Sequence, residues 1–128
     1  MKVKAKKAGY SSPILRKRTN VSLLYALSIL QKSDISHFIN HVYLYGSCAR
    51  LEQNYNSDVD ILVELADDTN IDKYRSDIIS LKGKVSPLDL ALPIVDMHVV
   101  VGSKWMSSNL LYYQNVKRDG VDVWKIQE

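Results

Sequence analysis

Asp58 and Asp60 flank Val59 at the start of an apolar run that continues Ile61-Leu-Val-Glu-Leu65. In an extended chain, residues i and i+2 point to the same face of a sheet. The two carboxylates therefore project together, about 7 Å apart along the strand. Val59, Ile61, Val63 and Leu65 turn to the opposite face, where a core would cover them. Two carboxylates on an exposed strand face suit a hard divalent cation such as Mg²⁺, which takes oxygen ligands. Ten residues upstream stands Gly46-Ser47, just after a second short apolar run, Val42–Tyr45. Glycine lets the backbone approach a ligand closely, and a Ser hydroxyl with nearby N–H groups can hold phosphate oxygens. A lone Asp-x-Asp usually faces water, and a lone Gly-Ser says less. Together, each in strand context, they point to metal-assisted chemistry on a phosphate. Glycosyltransferases that hold a sugar nucleotide through Asp-x-Asp are a rival reading. They need a larger domain, and the upstream Gly-Ser has no role in them.

The elements that must position these groups can be read from periodicity. Leu23, Leu27 and Leu30, joined by Leu24, predict a helix over about 21–38, with Asn20 as its cap. Strands are expected at Val42–Tyr45, Asp58–Leu65 and about Ile94–Val101. A short helix over Ala49–Gln53 would start at the Gly-Ser turn, and Asn54, Asn56 and Ser57 form a turn. A second helix is expected over about 70–81, with Ile71, Tyr74, Ile78 and Leu81 on one face, a capping box of Thr69 and Asp72, and Gly83 as its stop. A last helix follows Ser103, with Met106, Leu110 and Tyr113 on one side and Gly120 at its end. Val121–Ile126 alternates and reads as an edge strand or tail. Two aspartates compete as a third carboxylate. Asp89 lies between Pro87 and Pro93, which argues against a regular central strand. Asp96 sits in a β-branched run where Ile94, Asp96, His98 and Val100 share a face, and it is the one favoured.

Gly-Ser, ten residues and Asp-x-Asp resemble the pattern of the nucleotidyltransferase superfamily that includes DNA polymerase β. The minimal nucleotidyltransferases are the most similar, from about Val42 to about Val101. That family carries a third carboxylate on a later strand, in the setting that Asp96 occupies in Ile94-Val-Asp-Met-His-Val-Val-Val101. One departure is visible. The family often reads Gly-Ser-x-Ala-Arg-Gly, and Leu51 stands where the last Gly would be. The resemblance implies an α+β fold, a small mixed sheet with helices packed on one face. It implies transfer of a nucleoside monophosphate, with ATP as donor and two Mg²⁺ ions held by Asp58, Asp60 and Asp96. Gly46, Ser47, Arg50 and Ser57 make up the expected nucleotide-binding set. Many minimal enzymes are antitoxins of a helical HEPN-type toxin, which would make the acceptor a hydroxyl of a protein partner, most plausibly a Tyr. A non-catalytic antitoxin that caps its partner and a small RNA-end nucleotidyltransferase are the alternatives.

The chain has 128 residues, enough for one domain with a single core. Cys48 is its only cysteine, so no intrachain disulfide forms. No apolar run reaches membrane-spanning length, and the basic N-terminus lacks the apolar core of a signal peptide, so the cytoplasm is the expected compartment. The net charge of +3 hides an asymmetry. Residues 1–20 carry seven of the 17 Lys and Arg and no acid, leaving 10 basic against 14 acidic groups, a balance of −4, in the other 108 residues. We expect a basic flexible tail over 1–19 and the catalytic domain over 20–128. An acidic body lacks the basic groove that nucleic-acid enzymes use to neutralise phosphates. A docking surface for a protein partner would draw on Trp105, Leu111, Tyr112 or Trp124.

Overall fold

A computed structural model describes residues 11–124. Helix α1 spans Pro13–Gln31, strand β1 Ile39–Tyr45, strand β2 Val59–Leu65, helix α2 Arg75–Lys84, strand β3 Val95–Val101, helix α3 Leu111–Asp119 and strand β4 Val121–Asp122. The four strands form one mixed sheet in the order β3-β2-β1-β4. β1 runs antiparallel to both β2 and β4, and β2 runs parallel to β3. A parallel pair needs a crossover, and α2 lies within it. No described helix is long and apolar enough to cross a membrane.

α1 starts earlier than expected. Ser12 caps it by accepting from the Leu15 N–H at 3.3 Å, and Pro13 takes the first helical position, where its missing N–H costs nothing. Thr19, Ser22, Leu23, Ala26, Leu27 and Leu30 form its buried stripe. Residues 13–19, expected as tail, are thus helical, whereas Lys2, Lys4, Lys6 and Lys7 fall outside the described residues. The helix also ends early, at Gln31, and a 3-10 turn at Ser36–Phe38 leads into β1. α2 likewise differs from expectation. Residues 70–74 form turns closed by the Asn70 and Ile71 carbonyls, and Gly83 lies inside the helix. The Thr69 hydroxyl has no partner among the described residues, so the capping box does not form. The predicted inner face holds: Ile78 and Leu81 are buried, with Ile71 and Tyr74 packed against the core.

Val59, Ile61, Val63 and Leu65 are all fully buried against α1 and α2, as their alternation requires. The opposite face is covered too. The helix expected after Ser103 divides into a 3-10 turn at Lys104–Ser107 and α3, leaving Met106 and Leu110 exposed. Trp105 and Val116 instead pack with Tyr45 and Leu62 in a second cluster. Helices therefore lie on both faces of the sheet, α1 and α2 on one and α3 on the other. Trp105 Nε1 donates to Glu64 Oε1 at 2.7 Å, so its indole is an anchor in the fold and not a docking surface. Trp124 is half-buried against the first core, which leaves Leu111 as the exposed member of the expected patch whose side chain is described. Trp105→Phe strips the buried Glu64 carboxylate of this donor and is expected to cost about 2 kcal/mol in urea denaturation. Glu64→Gln keeps an acceptor and is expected to cost less than about 1 kcal/mol.

Candidate active site

Parallel pairing of β2 with β3 sets Asp60 directly beside Asp96 in the register. Side chains alternate along both strands, so Asp60 and Asp96 share a face with Leu62, His98 and Glu64. β1 ends against the same point, since Tyr45 pairs with Asp60. The chain then turns at Gly46, whose φ of +78° favours glycine. Glycine is required there for a second reason: a Cβ at position 46 would lie 2.7 Å from Asp60 Oδ2. The Gly-Ser turn and the inner aspartate are thus in contact. Asp58 sits one residue before β2, exposed at the sheet's end, and its carbonyl accepts from Cys48 Sγ at 3.4 Å. The Val59 N–H donates to the Ile94 carbonyl at 2.9 Å, which ties Asp58 to the entry of β3.

The electrostatics follow from this crowding. Burial, with Asp96 and Asp58 nearby, pushes the Asp60 carboxyl up to about 6, against an opposing effect of His98. His98 Nε2 lies 3.7 Å from Asp96 Oδ2. Burial pushes the Cys48 thiol up to about 11, helped by Asp60, so it remains a neutral hydrogen-bond donor. The three aspartates offer only oxygen donors, and Asp96 and Asp58 add to the proton affinity of Asp60, a combination that fits a hard divalent cation. Among the described residues, no three His, Cys, Asp or Glu side chains converge to metal-ligand spacing. The aspartates are close enough to interact electrostatically without forming a closed ligand cage.

The turn from Gly46 to Leu51 is not the short helix expected over Ala49–Gln53. It is held by bonds from the Arg50 N–H to the Gly46 carbonyl and from the Glu52 N–H to the Ser47 carbonyl, at 3.2 and 2.9 Å. Leu51 adopts φ +61°, the left-handed conformation that accounts for glycine in the related pattern. Ser47 lies half-buried in this turn, directly after Gly46. Arg50 donates from Nε to Glu52 Oε1 at 2.9 Å and from a terminal nitrogen to Asp119 Oδ2 at 2.8 Å. Ser57 closes its own turn, its hydroxyl accepting from the Asn54 N–H at 2.9 Å. Asp89 Oδ1 accepts from the Ala91 N–H, a loop-closing role remote from the Asp60 register. Two concavities lie away from the aspartates. One of about 230 Å³ lies between Lys32–Asp34 and α2, and another of about 460 Å³ is lined by Asp67, Val101, Ser103 and Lys104.

Sequence reasoning missed the contribution of α1. Its Arg18 donates to the Ala91 carbonyl at 2.6 Å and stacks over Tyr55, and its Ser22 hydroxyl donates to the Pro93 carbonyl at 2.7 Å. Buried Gln53 bridges Thr19 and Ser11. One helix thereby fixes both loops that lead into the aspartates. The Ser12-Pro13 pair was the available signal.

The sequence pattern of the "Polymerase beta, Nucleotidyltransferase" family matches residues 27–118, and the chain belongs to that family. Its fold is similar to a crystal structure, at 1.40 Å resolution, of a protein from Sulfolobus solfataricus described as a candidate nucleotidyltransferase. The two are 20% identical, the match covers 92% of this chain and 93% of that one, and the TM-score is 0.57. No curated protein matches significantly.

Two outcomes follow. The folded state binds the Asp60 proton more tightly than the unfolded chain, whose carboxyl titrates near 3.8, so stability is expected to fall as pH rises from there to about 6. Asp60→Asn should flatten that slope in metal-free thermal melts and, discounted for solvent screening, raise stability near neutral pH by about 1–2 kcal/mol. Leu51→Gly relieves the left-handed strain, and a gain of about 0.5–1 kcal/mol is expected from chemical denaturation.

Proposed function

We propose that the protein is a Mg²⁺-dependent nucleotidyltransferase that moves AMP from ATP to a hydroxyl of a protein partner. The observation that carries this reading is the register that sets Asp60 beside Asp96, with Gly46 against the Asp60 carboxylate. Asp58 and Asp60 would hold the divalent ions, with Asp96 as their further ligand. Bound ions supply charge neutralisation on the triphosphate and activation of the attacking oxygen. Ser47 and the amides of the Gly46–Leu51 turn hold the β and γ phosphates. Asp96, whose side chain is 53% exposed, accepts the proton of the attacking hydroxyl. The new bond joins that oxygen to the α-phosphorus, and the bond to the pyrophosphate oxygen breaks.

With Arg16, Lys17 and Arg18 in α1, residues 13–128 carry 13 basic against 14 acidic groups, and a body without net positive charge supports a protein acceptor over nucleic acid. The resemblance to minimal nucleotidyltransferases makes a helical HEPN-type toxin, silenced by modification of a Tyr, the proposed partner. On this reading the protein is an antitoxin of the cytoplasm.

Calorimetric titration is expected to show ATP binding only with Mg²⁺ or Mn²⁺, lost in Asp58→Asn/Asp60→Asn without unfolding. Equal binding by both proteins would sink the reading. With labelled ATP and the product of the neighbouring gene, Asp96→Asn is expected to lower transfer at least ~100-fold, and Asp89→Asn to leave it nearly intact. Label on RNA 3′ ends and on no protein would reassign the acceptor. Neutralisation of the partner by a variant lacking all three aspartates would instead support a non-catalytic cap.

A further inference from the structure

Arg50 and Asp119 are 69 residues apart in sequence, yet they make a 2.8 Å charged hydrogen bond. The Asp119 side chain is only 6% exposed, and Arg118 also donates to it at 2.9 Å. Those arginine bonds, Arg118 first, hold its carboxyl below the ordinary carboxylate range. Asp119 ends α3, and α3 is anchored through Val116 in the cluster with Tyr45, Leu62 and Trp105. Tyr45 is the residue before Gly46, so α3 and the Gly-Ser turn are fixed to the same strand end. The turn itself carries two positive φ values, +78° at Gly46 and +61° at Leu51. A non-glycine residue stays in that conformation only where its surroundings over-determine it. The Ser11 N–H holds the Leu51 carbonyl at 2.9 Å on one side of the turn. Arg50, one residue earlier, is held by Asp119 on the other.

We infer that Asp119 is a positioning residue for nucleotide binding, acting through Arg50 to keep the Gly46–Leu51 turn in the one shape that grips phosphate. Arg50 spends its Nε and one terminal nitrogen on Glu52 and Asp119, the contacts through which it serves as the strut of the turn. The inference rests on the reading of this turn as the triphosphate site.

The test uses the full chain with Mg-ATP. Asp119→Asn is expected to raise the Kd and KM for ATP about tenfold, the scale of one lost charge-assisted hydrogen bond, with kcat within about twofold. Asp119→Glu should restore most of the affinity. Arg50→Ala should match Asp119→Asn, and the double variant should be no worse than either single, the sign that both act through one contact. If Arg50 contacts phosphate directly, Asp119→Asn leaves affinity unchanged or tighter while Arg50→Ala alone loses it, and the inference is overturned. Amide hydrogen exchange without nucleotide supplies an independent readout. Residues 47–51 should exchange faster in Asp119→Asn while β2 stays protected, and unchanged exchange there also overturns the inference. Failure of the wild type to bind any nucleoside triphosphate would remove the functional reading alone, because the exchange experiment still decides the strut.

Discussion

Two like charges held side by side are the constraint around which the rest of this molecule is arranged. β2 and β3 pair in parallel with Asp60 opposite Asp96, and Asp58 follows at the strand's end. An isolated chain would keep such groups apart or in water. Here Gly46 presses against the Asp60 carboxylate, and burial and neighbouring carboxylates raise its proton affinity. The local repulsion is offset elsewhere, chiefly by the wholly apolar stripe beneath it. Val59, Ile61, Val63 and Leu65 are each fully buried on the other side of the same strand. A strand that seals a core with one face can present an unfavourable charge array with the other.

Backbone-directed hydrogen bonds complete the arrangement. α1 reaches the loop before β3 through the carbonyls of Ala91 and Pro93, while the loop before β2 is held by a side-chain bond from Gln53 to Thr19. Carbonyl acceptors do not depend on the loop's side chains, so the clasp fixes backbone position directly. α3 does the corresponding work on the opposite face. Its aromatic seat places Tyr43 and Tyr113 around Trp105, with ring centroids 5.6 and 5.8 Å away. The Trp105–Glu64 bond satisfies one oxygen of a carboxylate that the sheet buries. The site thus lies at a sheet end gripped from both sides. That suits chemistry needing fixed geometry more than deep enclosure.

The candidate site residues and the three long strands were legible in the sequence because their signals are local. A period of two in Val59–Leu65 and a β-branched run before Val101 report burial directly. The choice of Asp96 over Asp89 followed from strand context, and the Asp60–Asp96 register agrees with it. The start of α1 was also written locally, in Ser12-Pro13, but the basic run Arg16-Lys-Arg18 read as a solvated tail. Those side chains instead follow a helix whose other face is core, with Arg18 bonded to a loop carbonyl.

Other features had no local signal, because their partners lie far along the chain. The bond of Arg50 to Asp119 could not be read from the sequence, since the fold alone brings the two together. Trp105 and Trp124 looked like surface aromatics, but Trp105 is buried in the cluster on the second face of the sheet and Trp124 packs against the first core. Leu51 in place of a glycine was visible, but only the turn's backbone angle shows that it bears a left-handed conformation. The sequence by itself determined which groups are candidates for the chemistry and which strand faces seal the core, since alternation and side-chain type are properties of neighbouring residues. The tertiary structure alone decided which of the polar side chains are spent on holding the site together. A hydrogen bond between residues 69 apart exists only after the chain entropy between them has been overcome by the packing of everything else.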